Sequence, residues 1–234
     1  MKIGTDNKST RDQWVIYQLS KLRKGGRILD AGAGEQQYRK YCENLIYVSQ
    51  DFCEYTGVGD GTGLQPTEWN TSKIDIVSDI ADIPEKNGSF DAVLCTEVFE
   101  HLINPARALS EFYRLLKPGG VLILSAPFCS LTHFAPYHFH TGFNRYFFNE
   151  VMANCGFEDI NVAPNGNYYK YIAQEIRRVP MIAEKYSGSK VVFLWKALMF
   201  PVIAILSFLE SRSSGSEELL CYGYHVTARK PYTD

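Results

Sequence analysis

At 234 residues the chain suits one large domain that can bury a sizeable core without covalent staples. Its composition, 45% hydrophobic and 21% charged, is ordinary for a globular protein and gives no reason to expect disorder or a fibrous repeat. A formal net charge of −2 with no basic tract argues against a nucleic-acid partner, which needs a concentrated positive face.

A short amphipathic helix is expected over Trp14 to Leu22, ended by Lys24-Gly25-Gly26. The compact apolar strand Arg27-Ile28-Leu29 follows, then a helix from Gln37 to Asn44 and a second strand from Leu45 to Ser49. Gly57 to Ser72, rich in Gly and Thr, reads as a loop before a third strand, Ile74 to Val77. Phe90 to Cys95 lacks polar alternation, as expected of a strand covered on both faces. Asn104-Pro105 opens a helix running to Leu116, Lys117 to Gly120 stops it, and Val121 to Ser125 is the fifth strand. Beyond Pro127 come an aromatic stretch, a helix from Phe147 to Cys155 and a sixth strand from Phe157 to Val162. A polar helical stretch covers Asn165 to Ser189, and Leu219 to Ala228 alternates as an antiparallel edge strand does. Strands alternating with helices at this interval specify an α/β fold, a doubly wound, mostly parallel sheet of about seven strands whose last strand is antiparallel. On such sheets ligands bind beyond the carboxyl ends of the strands, where strand order reverses.

The residues just after the strands are therefore the informative ones. ILDAGAG, Ile28 to Gly34, runs a strand into Asp30 and places Gly32 and Gly34 on the turn, where the backbone can pass close to a ligand. A dinucleotide site would place a third glycine where this chain has Gln37, and Asp30 is unfavourable beside a pyrophosphate, so a ligand without phosphate is favoured over NAD. Asp51, about 20 residues beyond the glycines, can accept both hydroxyls of an adenosine ribose. Asp79-Ile80 joins an acid to an apolar residue, able to bond an adenine amino group and cover a ring face. Thr96-Glu97 leaves the fourth strand where reacting groups are expected.

Together ILDAGAG, Asp51, Asp79 to Asp91, EVFEHL (Glu97 to Leu102) and LLKPGGVLIL (Leu115 to Leu124) resemble the class I S-adenosylmethionine-dependent methyltransferases, in particular the branch acting on small molecules. The resemblance covers roughly residues 10 to 165. It implies S-adenosyl-L-methionine as cofactor and S-adenosyl-L-homocysteine as its product. Asp30, Gly32 and Gly34 would serve the methionine part, Asp51 the ribose, Phe52, Asp79 and Ile80 the adenine, and Thr96 and Glu97 the floor beside the sulfonium. One departure is Glu35-Gln36-Gln37, where the family commonly has a further glycine. The implied organisation is one domain: a cofactor-binding core over 10–165, a lid over 128–148, a helical insertion over 166–215 and a last strand over 219–230.

The expected reaction moves a methyl group in line to a small-molecule acceptor, a hydroxyl of a sugar or another metabolite. A hydroxyl acceptor needs a base, and the lid THFAPYHFHTGFNR holds three of the five histidines. His133 and His138 are the candidate bases, with Tyr137, His140 and Arg145 as acceptor contacts; the competing reading is an aromatic lid whose histidines are merely satisfied. His138-x-His140 can chelate, but no carboxylate lies near it in sequence, so no metal is expected.

Six cysteines without C-x-x-C spacing, and an opening MKIGTDNKSTRDQW with no apolar stretch to act as a signal, fit a reducing, cytoplasmic compartment. Against this stands Val191 to Leu209, VVFLWKALMFPVIAILSFL, short for a bilayer span and interrupted by Lys196 and Pro201. The favoured expectation is a pair of short helices meeting at Pro201, buried against the domain or a second subunit of a homodimer. The other is a helix lying on a membrane surface, which would make the enzyme peripheral to the membrane and suit a lipid-linked acceptor. A non-catalytic cofactor-binding or interaction module is the remaining alternative.

Overall fold

Residues 2–188 and 192–232 are described by the computed structural model; Ser189 and Val191, which end and begin two of the expected segments, lie outside the described residues. Strand β1 (Arg27–Ala31) pairs in parallel with β2 (Ile46–Asp51) on one side and β4 (Phe90–Thr96) on the other. The two-residue β3 (Ile76–Val77) extends the β2 side, and β5 (Leu116–Pro127) extends the β4 side. The antiparallel β7 (Gly223–Arg229) and then β6 (Glu158–Asn165) complete the order β3-β2-β1-β4-β5-β7-β6. The chain moves outward from β1 to β3 and then returns to β4, so the strand order reverses at the β1–β4 pair.

Helices α1 (Asn7–Ser20) and α2 (Pro105–Leu115) flank the sheet-forming segments, and α3 (Arg145–Asn154) precedes β6. Ile28, Ala92, Leu94 and Ile123 share one sheet face with Val15 and Leu19 of α1 and with Tyr38 and Cys42. Strand alternation turns Leu29, Val93, Leu122 and Leu124 to the opposite face, where α2 supplies Leu109, Phe112 and Leu115. Burial on both faces explains the unbroken apolar run of β4.

Several boundaries differ from expectation for local reasons. The helix expected over Gln37 to Asn44 is only a 3-10 turn, Arg39–Tyr41. Gly32, Gly34 and Gln36 all have positive φ, which keeps the connection out of the helical region up to Gln36, and only the short turn after Tyr38 then forms. β5 begins at Leu116, ahead of Lys117-Pro118-Gly119-Gly120, because those residues form an irregularity in the β4–β5 ladder: Phe90 faces Leu116, while Ala92 already faces Val121. β3 keeps only the last two residues of the expected third strand, and the last strand starts at Gly223, with the 3-10 turn Ser216–Glu218 ahead of it.

The chain divides into two compact units, Gln13–Ala163 with Gly223–Asp234, and Met1–Asp12 with Pro164–Tyr222. The smaller takes in the N-terminal residues as well as the expected insertion over 166–215, since Ile3 packs with Ala173 and Ile203 in its core. Asn167 caps α4 (Tyr168–Ser187), and Gly188, with φ of 59°, ends it. The pair of short helices expected around Pro201 is instead one helix, α5 (Val192–Glu210), which runs through the proline. Nor is it buried throughout: Ile203 is enclosed, whereas Leu198, Phe200, Ile205 and Phe208 are exposed.

Candidate active site

The larger unit holds a cavity of about 730 Å³ at the carboxyl ends of β1 to β4, beside the β1–β4 reversal. That volume lies within the range of small-molecule sites. Four of the strand exits contribute. Gly32 follows β1, Asp51 ends β2 and Phe52 follows it, Asp79 and Ile80 come after β3, and Glu97 follows β4.

Hydrogen bonds tie these exits to one another. Asp51 Oδ2 accepts from the Gly34 amide at 2.9 Å and Oδ1 from the Cys53 amide at 3.0 Å. Each carboxylate oxygen keeps further acceptor capacity beyond those bonds. Gln50, buried beside it, accepts from the Gly32 amide and donates to the Ser78 carbonyl at 2.7 Å, so one amide group joins the glycine turn to the β3 exit. Asp79 Oδ1 accepts from the Ala81 amide at 2.8 Å. Glu97 adopts φ of 54°, an uncommon conformation for its residue type, and is held there by Ser125, whose hydroxyl donates to its carboxylate at 2.8 Å. A Cβ at Gly32 would come within 2.6 Å of Val98, and one at Gly34 within 2.4 Å of Trp69.

Aromatic rings form the far wall. Tyr55 stacks on Phe134 at 4.6 Å, Phe134 on His101 at 5.2 Å, and Phe52 meets Tyr137 edge-on at 5.0 Å. The loop over 57–72 is clasped to the lid: Leu64 exchanges amide bonds with the Thr132 and Phe134 backbone, and Gly59 and Gly63 lie too close to Ala135 and Thr132 carbonyls for any side chain.

Of the residues singled out in the sequence, Gly32, Asp51, Phe52, Asp79, Ile80, Glu97 and Tyr137 line this cavity, whereas Asp30, Gly34, Thr96, His133, His138, His140 and Arg145 do not. Asp30 points to the α1 face of the sheet and accepts from the Tyr47 hydroxyl at 2.6 Å; burial pushes its carboxyl up to about 7, and the nearby Asp51 charge adds to the rise. His133 Nδ1 donates to the Leu131 carbonyl at 2.8 Å. His138 lies 3.0 Å from the Ser130 hydroxyl, and burial lowers its pKa. The His140 ring packs on Phe143, and the Arg145 guanidinium lies over Tyr146. The imidazole that does line the cavity is His101, with Nδ1 2.6 Å from the Tyr137 carbonyl and its pKa pushed down to about 3 by burial. Gln50, Tyr55, Trp69, Phe134 and Phe139 line it too without having been singled out. Trp69 was the one legible signal among them, a large ring in a Gly- and Thr-rich loop.

A methyltransferase-domain model matches residues 29–124. A "probable S-adenosylmethionine-dependent methyltransferase" of Mycolicibacterium smegmatis is 31% identical over 171 residues, which span 67% of this chain and 62% of that protein. A ubiquinone biosynthesis O-methyltransferase of Xanthomonas campestris is 45% identical over 104 residues, 43% of each chain. The chain thus spans less than two thirds of the length of either relative. Among solved structures, a SAM-dependent methyltransferase of Archaeoglobus fulgidus superposes with a TM-score of 0.57 at 14% identity, covering 98% of this chain and 96% of that one, a likeness of fold.

Proposed function

Because the chain belongs to the class I S-adenosylmethionine-dependent methyltransferases, we propose that it binds S-adenosylmethionine in this cavity and methylates a small-molecule acceptor, with a hydroxyl as the receiving group. The observation that carries the reading is the convergence of Asp51, Asp79 and Glu97, from three successive strand exits, on one cavity with the Gly32 turn. No phosphate-binding helix terminus follows that turn, only the 3-10 turn Arg39–Tyr41, which suits a nucleoside carrying an amino-acid tail better than a dinucleotide.

The residues present fit such a ligand. Asp51 retains acceptor capacity for ribose hydroxyls, Phe52 and Ile80 offer apolar surface to an adenine, and Asp79 accepts from its amino group. When bound, the sulfonium supplies an already electrophilic methyl group. What remains for the protein is alignment, and positioning of this kind is worth about 7–11 kcal/mol of a barrier. Glu97, fixed by Ser125, and the Phe134–His101 stack would orient the acceptor, and the loop over 57–72 clasped to the lid would exclude water. His133 and His138 were the expected bases. For either to take the acceptor's proton, the lid would have to turn its ring into the cavity.

Calorimetric titration of the full chain with S-adenosylmethionine and, separately, NAD tests the reading. Saturable heat with the first and none with the second is expected; the converse result would overturn it.

A lipid-linked acceptor is the second reading, favoured by the exposed apolar side chains of α5. No helix among the described residues is long and apolar enough to cross a membrane. Co-sedimentation with phospholipid vesicles, lost on replacing Phe200, Ile205 and Phe208 by Ser, would support it; absence of co-sedimentation by the parent chain would remove it.

A further inference from the structure

The turn after β4, Phe99–His101, and the lid bring together three ligating groups, two of them adjacent in the chain and the third some thirty residues further on. Glu100 is buried, and its Oε1 lies 3.8 Å from His101 Nε2 and 3.7 Å from His133 Nε2. One ligating atom from each residue falls within 4.8 Å of the other two. In both imidazoles Nδ1 faces a backbone carbonyl, of Tyr137 and of Leu131, at 2.6 and 2.8 Å. A carbonyl can only accept, so in each neutral ring Nδ1 carries the proton and Nε2 presents its lone pair. Two lone pairs therefore converge on a buried carboxylate at distances too long for hydrogen bonds. His101 Nε2 is buried and has no hydrogen-bond partner among the described residues. A carboxylate and two imidazole nitrogens gathered in this way are donors of the kind that ligate a cation.

The geometry points to a site for one divalent first-row transition-metal ion, bound by Glu100, His101 and His133. Two ligands each about 2.1 Å from a tetrahedral ion are about 3.4 Å apart, within a few tenths of an ångström of the two separations between Glu100 and the imidazoles. Imidazole with one carboxylate selects zinc, cobalt, nickel or iron over magnesium and calcium. The carbonyls on Nδ1 supply the outer support that orients ligating histidines. The carboxylate that the His138-x-His140 pair lacks in sequence is thus provided to His133 by EVFEHL, some thirty residues upstream. Such an ion would fasten the lid to the β4 exit through His101, a residue of the cavity wall, and would hold His133 as a ligand rather than as a base. The site stands whatever the acceptor is, and whether or not S-adenosylmethionine binds.

The test is cobalt(II) titration of the chelator-stripped full chain, followed by visible absorption, with S-adenosylmethionine binding measured separately. One saturable equivalent is expected, with ligand-field bands and no thiolate charge-transfer band. Glu100→Gln and His133→Ala should each weaken cobalt binding by at least about tenfold, the lower end of what even an outer-shell loss costs. Far-UV circular dichroism identifies any variant that has lost its fold, and His133, only partly buried, keeps the test open should Glu100→Gln unfold. No saturable binding by the parent chain, a thiolate band, or unchanged affinity in a folded variant would each overturn the site.

Discussion

Asp51 has two roles in the same carboxylate. It fixes the glycine turn through the Gly34 amide and faces the cavity where a ribose is proposed. Asp51→Ala should weaken S-adenosylmethionine binding by about 1–3 kcal/mol, the scale of a lost buried polar partner. Calorimetry checks it, and unchanged affinity would refute the ribose assignment. Gly32 is constrained twice over, by φ of 69° and by Val98 against the place of a Cβ. Gly32→Ala should cost about 1–3 kcal/mol in denaturant unfolding. Adding Val98→Ala should recover part of that loss and not all, because it relieves the contact but not the backbone. Full recovery would show that the steric clash alone sets the requirement for glycine.

At the scale of elements, the strands of the sheet were legible and the short connections were not. Apolar runs such as Phe90 to Cys95 reflect burial on two faces, a signal carried by each residue's own chemistry. The 3-10 turn at Arg39–Tyr41 depends on a left-handed Gln36, which nothing in a glutamine announces. The strand-exit side of the cavity could be read because its residues sit at or just after the ends of strands. The aromatic wall could not, beyond the signal of Trp69 itself, since Tyr55, Trp69 and Phe134 meet only when the loop over 57–72 pairs with the lid. The lid histidines illustrate the same limit: their residue type suggested a base, but backbone carbonyls and a buried glutamate decide where His133 points. In α5 the apolar composition was plain while its facing was not. Ile203→Ala should destabilise the smaller unit by about 2–5 kcal/mol. Phe200→Ser, at an exposed site, should stay within about 0.5 kcal/mol. Urea unfolding of the two variants checks both, and equal losses would mean that the helix presents a different face to its core.

For the whole molecule, the reversal of strand order at β1–β4 selects the place of the site, and it also places a carboxyl group in the core of the larger unit. Asp30 ends on the α1 face near Tyr47 and Cys42, where burial raises its pKa from 3.8 to about 7. Between those two values the folded chain keeps a proton that the unfolded chain releases. Stability from this group is therefore complete below about pH 4 and is lost as pH rises through 7. A shift of about three units corresponds to about 4 kcal/mol at the limit. Asp30→Asn preserves an acceptor for the Tyr47 hydroxyl and removes the titration. Its melting temperature should exceed that of the parent at pH 8, and the two should converge as pH falls toward 4. Parallel curves across that range would mean that Asp30 is already ionised in the folded chain, held so by a cation or by water reaching the sheet face from the cavity side.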